Sequence, residues 1–342
     1  MRAVLHFALG LVVCSAFLAL TPALKAEPAS GADDGLATLR AADTRVLTVG
    51  TRLAIANAPF CRATKNSVGM TLHHIGQYPD ADAARATFGF ASDYAVLALV
   101  SDGEAAQSGI QIDDSIIAVN GSAFAPAPDD LAAIDQPAAY RPVAWADTTL
   151  RSALDAPPVA ITLVREGQTF DASLTGVPAC RSRFELRPSG DYGASADGDI
   201  VGITSAMLGF MVDDDELAAI LAHEMAHNLL DHRKRLNAAG IQRGLMQQLG
   251  RNARLTLATE IEADRLSIWL MANAGYDPGG AVRFWTRYGK QRGKGIFSAP
   301  THYRWKKRVG LFEEEMGKLA AAEKDARGWY PPLLAEAPPL LD

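Results

Sequence analysis

His223-Glu224-Met225-Ala226-His227 lies inside a run, Asp213 to Asp231, that otherwise has the spacing of one amphipathic helix. Residues four apart on a helix share a face one turn from each other, so both imidazoles can reach a single Zn²⁺ at roughly 2 Å. Glu224 then stands beside the ion, placed to take a proton from its water. The pentapeptide therefore predicts a zinc-dependent hydrolase, with one ion per chain.

A hydrolytic zinc usually has three protein ligands and one water, so a third ligand must come from farther along the chain. Glu260-Ile261-Glu262-Ala263-Asp264 falls in a second helical pattern, Leu255 to Ala274, which ends at Gly275 as helices commonly do. Glu260 and Asp264 share a face: Glu260 is the expected third ligand, and Asp264 is expected to orient a ligand histidine through its free ring nitrogen. Glu262 points to nearly the opposite side. On one continuous helix His232 would be rotated well away from His223 and His227. Asp213-Asp214-Asp215-Glu216 puts carboxylates at the positive end of the first helix, which favours capping.

The chain is mildly acidic, with 33 Lys and Arg against 39 Asp and Glu, and has no basic patch, so nucleic acid is not an expected partner. Residues 1–26 differ from the rest. Arg2 precedes an apolar run from Ala8 to Leu20, and small residues close the segment near Ala26, the pattern of a secretory signal peptide. A periplasmic or secreted location follows as the expectation, with any membrane contact peripheral or through an uncleaved anchor. Removal of the leader takes Cys14 with it and leaves Cys61 and Cys180, an even pair in an oxidising compartment, for which a disulfide is expected.

Between Ala84 and Val177 the pattern is short strands, glycine turns and one helix. Tyr94 to Val100, then Glu104-Ala-Ala-Gln-Ser-Gly-Ile110, then Asp113-Asp-Ser-Ile-Ile-Ala-Val-Asn-Gly121 resemble a bacterial PDZ domain. The resemblance implies capture of a peptide C-terminus by strand addition, with Phe88-Gly89-Phe90 as the carboxylate-holding loop and Arg85 nearby. Val143 to Leu154 reads as the groove helix, and Ile161–Val164 and Phe170–Leu174 as closing strands.

His-Glu-Met-Ala-His, the Glu260-x-x-Ala-Asp264 segment and Ala274-Gly-Tyr-Asp-Pro278 together resemble the CAAX-prenyl-protease/HtpX-type family of zinc metallopeptidases. That resemblance implies ligands His223, His227 and Glu260, catalytic Glu224 and an orienting Asp264. It also implies a cleft-facing His302 that assists the oxyanion, and an Arg308 near oxyanion or substrate. An edge strand above the metal, at Asp197 to Ser205, would receive unfolded or extended polypeptides. The expected fold is α+β: a mainly helical zincin-like domain with a small edge sheet and an inserted β-rich PDZ-like domain. The expected divisions are a signal peptide over 1–26, peptidase domain over 27–83 and 178–326, the insert over 84–177, and a loose Pro-rich tail over 327–342. The function implied is protein cleavage in the bacterial cell envelope, in quality control. The competing reading is a chaperone or adaptor with a zinc fold and little activity.

Overall fold

The computed structural model describes residues 30–126, 128–241, 250–292 and 304–336. Residues 1–29, expected to include a signal peptide, His302 and residues 337–342 lie outside them. No helix among the described residues is long and apolar enough to cross a membrane.

The helical body is built around Asp214–Leu229, the helix carrying the HExxH motif. Its apolar residues do not form one stripe. Leu217, Ala218, Leu221, Ala222, Met225 and Ala226 are all fully buried and point in several directions. A helix that is apolar nearly all round must be surrounded by other elements. Among the described residues the long helices Ser30–Ala56, Gly250–Asn273 and Gly279–Arg292 meet it. Gly280 lets the last of these lie close, because a Cβ there would come within 2.6 Å of the Asp215 backbone. Trp305–Ala321 packs in turn on Gly250–Asn273 and Gly279–Arg292.

The N-terminus of the HExxH helix is closed at both levels expected of its acidic opening. The Asp213 side chain accepts from the Glu216 N–H, and the Glu216 carboxylate accepts from Val212 N–H and pairs with Arg287. Because Glu216 is itself buried, this pairing ties helix Gly279–Arg292 to the start of the HExxH helix.

A three-stranded sheet flanks the helices. Ile200–Thr204 runs parallel to Arg183–Arg187 on one side and antiparallel to Ala194–Ala196 on the other. The strand expected as the edge, within Asp197 to Ser205, is therefore the central one. The edge is Ala194–Ala196, because Gly198 (φ 106°) reverses the chain into a hairpin that brings the preceding residues outside.

The second body has its own core, in which Val96, Ile116, Ile161, Leu163 and Leu174 are fully buried. Its antiparallel sheet runs, in spatial order, Met70–His74, Tyr94–Leu99, Ser115–Val119, Val159–Arg165 and Gln168–Leu174. Helix Arg141–Ala153 lies against Met70–His74. The sheet thus begins well before residue 84, where the sequence reading set the boundary. Met70–His74 is a ladder strand, paired antiparallel with Tyr94–Leu99 through one irregularity between Thr71 and Leu72. The way in and the way out of this body pair as strands, Thr64–Ser67 with Val177–Cys180, and Cys61, ahead of the first, is bonded to Cys180 at the end of the second.

Two further expectations are corrected. Phe88-Gly89-Phe90 is not a ligand-holding loop. Helix Ala81–Phe88 ends there, Gly89 (φ 63°) is its left-handed cap with N–H donating to Arg85 O, and both phenyl rings are buried beside His73 and Tyr78. Arg85 donates to Phe90 O and so locks the same turn. The tail is not loose over its described part. Asn273 donates to Trp329 O and accepts from Trp329 N–H, and Leu333 is buried against the helical core.

Candidate metal centre

The HExxH helix and helix Gly250–Asn273 lie side by side, and each contributes one face to a cleft also lined by Tyr192, Ala194, Met207 and Trp285. On the first helix, His223 and His227 project together. On the second, Glu260 meets them, and these three residues bring their ligand atoms into one cluster. The distances are 3.2 Å between the two Nε2 atoms, 3.5 Å from His223 Nε2 to Glu260 Oε2, and 3.6 Å from His227 Nε2 to Glu260 Oε1. Two ligands at 2.0–2.1 Å from a tetrahedral zinc stand about 3.3–3.4 Å apart. The triangle therefore has the size of one face of a zinc coordination tetrahedron, with the fourth corner toward the cleft.

Chemistry agrees with size. His223 Nδ1 is 2.8 Å from Asp264 Oδ1, and an Nδ1–H that donates to the carboxylate leaves a lone pair on Nε2. Asp264 is fully buried and is held by Arg308 Nη2 at 2.5 Å, and the Arg308 guanidinium lies over the Trp285 ring at 3.7 Å. The lone pairs of both imidazoles and of the Glu260 carboxylate then converge, an arrangement that calls for a cation.

Without a metal a proton takes that place. Burial and the Arg308 charge oppose ionisation of His223, but Asp264 and Glu260 outweigh them and lift its pKa to about 9. Burial alone would raise Glu260, yet hydrogen bonding and charge from His223, with His227 and Arg308, hold it below the usual carboxylate range. Asp264 is likewise held low, burial being overcome by Arg308 and His223. His227 is driven well below its ordinary value by burial and by the His223 charge.

Glu224 lines the same cleft beside the cluster. Burial pushes its carboxyl up to about 7 against the pull of His223, and Glu260 adds to the rise. A carboxylate poised near neutrality both accepts and returns a proton at physiological pH.

His223, Glu224, His227, Glu260 and Asp264 thus come together as the sequence reading placed them. Arg308, expected near the oxyanion or substrate, is a buried partner of Asp264 and the His223 ring and also lines the cleft. His232 is not one of the three ligands, as expected, but its contact with His227 was not foreseen. The HExxH helix stops at Leu229, Asp231 takes a left-handed conformation (φ 52°), and the new helix His232–Ala238 starts so that His232 returns beneath His227. Its Nδ1 lies 2.8 Å from His227 Nδ1 and its Nε2 lies 2.9 Å from Glu262 Oε2. Glu262, expected to be uninvolved, is bound by Arg235 at 2.6 and 3.1 Å. A helix-ending signal at Leu230-Asp231 was available, since Asp is among the few residues that tolerate the left-handed region.

Comparison with known proteins bears on this same segment. The chain is similar to Mitochondrial metalloendopeptidase OMA1 of Schizosaccharomyces pombe, 29% identical over 138 residues, which are 34% of this chain and 41% of that protein. The chain thus spans about two-fifths of the length of the curated relative it matches. Residues 191–316 match the model of Peptidase family M48, and the match takes in the HExxH helix, Glu260, Asp264 and Arg308. The segment that resembles this metallopeptidase family is the one that brings two imidazoles and one carboxylate around a single point.

Proposed function

We propose that the protein is a zinc-dependent endopeptidase that cleaves extended or unfolded polypeptides outside the cytoplasm. The observation that carries this reading is the convergence of His223 Nε2, His227 Nε2 and Glu260 at mutual distances of 3.2 to 3.6 Å, with Glu224 beside them. Bound there, Zn²⁺ supplies a Lewis acid that polarises the scissile carbonyl and acidifies a water.

The chain's own residues do the remaining work. Glu224 accepts the proton of the attacking water and returns it to the leaving amine, from its place in the cleft beside the three ligands. Asp264 and Arg308 hold His223 in place. The edge strand Ala194–Ala196 borders the cleft, and a substrate laid along it gains backbone hydrogen bonds that depend little on side chains. Such recognition favours chains already extended. His302 lies outside the described residues, and its assistance to the oxyanion is part of this proposal.

The second body is proposed as a PDZ-like peptide-binding module. Its groove lies between the edge strand Met70–His74 and helix Arg141–Ala153, where Val68, Thr71, Tyr140, Val143 and Leu150 face a common hollow. This relocates the expected peptide site from Phe88-Gly89-Phe90 to the Ser67-Val68-Gly69 turn and the strand after it. Export is supported by the apolar run Ala8–Leu20 and by the Cys61–Cys180 bond, which is at home in an oxidising compartment. A place in envelope quality control is the role these properties suit.

Cleavage of reduced, unfolded casein by the full chain, with and without a chelator, tests the reading. Chelator-sensitive cleavage that Glu224→Gln abolishes is expected. Binding of the casein without any cleavage by the zinc-loaded protein would favour the adaptor reading.

A further inference from the structure

We infer that His232 is a positioning residue that fixes the tautomer of His227, through a relay ending on the Glu262–Arg235 ion pair. This rests on the zinc reading above. Ligation through His227 Nε2 requires that the ring carry its proton on Nδ1. The neighbour of that Nδ1 is His232 Nδ1 at 2.8 Å, so His232 must accept there. A neutral imidazole that accepts at one nitrogen donates at the other. The other nitrogen, Nε2, is 2.9 Å from Glu262 Oε2, which accepts. Arg235 neutralises and aims that carboxylate by binding both of its oxygens. Every proton in the series has one place, and each is set by the charge of Glu262.

The relay matches in logic the arrangement on the other ligand. His223 reaches its carboxylate directly, through Asp264 held by Arg308, whereas His227 reaches Glu262 through an inserted imidazole. The insertion is a consequence of the backbone. Glu262 is two residues from Glu260 and turned away from the metal face, too far around its helix to meet His227, and the left-handed turn at Asp231 delivers His232 into the gap. Because His232 is 1% exposed, water is poorly placed to substitute for it. Loss of its acceptor would favour the opposite tautomer of His227, which aims an N–H at the metal position.

The test compares His232→Phe, which removes both ring nitrogens, with His232→Gln, whose amide can accept from His227 and donate to Glu262. Zinc affinity of the full chain is read by competition with a chelating dye, and the His227 tautomer by ¹⁵N–¹H correlation of the imidazoles. His232→Phe is expected to weaken zinc binding about 10- to 100-fold and to mix the His227 tautomers, while His232→Gln stays within a few-fold of wild type. Glu262→Gln, a milder change farther from the metal, is expected to weaken binding several-fold and serves if His232→Phe does not fold. Unchanged zinc affinity in a folded His232→Phe, equal losses for Phe and Gln, or an unaffected Glu262→Gln would overturn the inference. A wild-type chain that binds no zinc would instead overturn the metal site itself.

Discussion

Glu260 and Asp264, one turn apart on the same helix, hold opposite ends of one imidazole: Glu260 Oε2 stands 3.5 Å from His223 Nε2 and Asp264 Oδ1 stands 2.8 Å from its Nδ1. One carboxylate shares the metal and the other orients the ligand, so the four-residue spacing performs two tasks on one ring. Replacing Glu260 by Ala removes a ligand and is expected to bring zinc content from one per chain to near zero, as measured by elemental analysis of the purified protein.

Asp264→Ala leaves the first coordination shell intact but strands Arg308, a buried cation, without its carboxylate. Loss of one partner of a buried ion pair typically costs about 3–5 kcal/mol, and loss of an orienting carboxylate weakens metal binding about 10- to 100-fold. Thermal unfolding of the zinc-free chain should show the first effect and dye competition the second.

Glu224→Gln keeps the shape of the side chain but removes the proton acceptor. Cleavage should fall about 10²- to 10⁴-fold while zinc stoichiometry stays at the wild-type level. A matched loss of metal and activity would reassign Glu224 to a structural task.

Asp43, on helix Ser30–Ala56, lies near Glu185 of the strand packed on that helix, and burial followed by the Glu185 charge raises its pKa to about 7. Its folded-state value lies above the ordinary carboxylate value, so the native state holds the proton more tightly than the unfolded chain does. The stabilising contribution is complete below about pH 4 and declines as the pH rises to about 7. Asp43→Asn should therefore raise stability by about 1–3 kcal/mol at pH 8 and have little effect at pH 4.5, measured by urea unfolding at the two values.

Cys61 and Cys180 are 119 residues apart and close the second body off at its base. For so long a loop the entropic gain is on the order of 4–5 kcal/mol, with measured losses more often about 2–5. Cys61→Ser, or reduction of the wild-type chain, should lower the unfolding midpoint by an amount in that range. The sheet of the second body should keep its circular-dichroism signature, because its core is separate from that of the helical body.

The metal ligands were legible because helical spacing alone decides which of their side chains meet. His223 with His227 and Glu260 with Asp264 follow from one turn of helix each. What escaped the sequence depends on where a helix stops or which strand lies outermost. His232 and Glu262 stand outside the ligand triangle as expected, but the expectation rested on a helix continuous through Asp231, and the left-handed residue there brings His232 against His227 and Glu262. Ala194–Ala196 became the edge strand because a hairpin, not periodicity, decides sheet order. Met70–His74 reads as a weak strand with two histidines, yet it borders the groove, and His73 is accommodated there by burial that lowers its pKa to about 3.

X-ray anomalous scattering at the zinc edge, recorded on crystals of the full chain grown with zinc, tests the central claim most directly. One peak per chain is expected, about 2.0–2.1 Å from Nε2 of both His223 and His227 and within bonding distance of the Glu260 carboxylate. A peak elsewhere, or none at this triangle in a protein that still cleaves polypeptide, would contradict it.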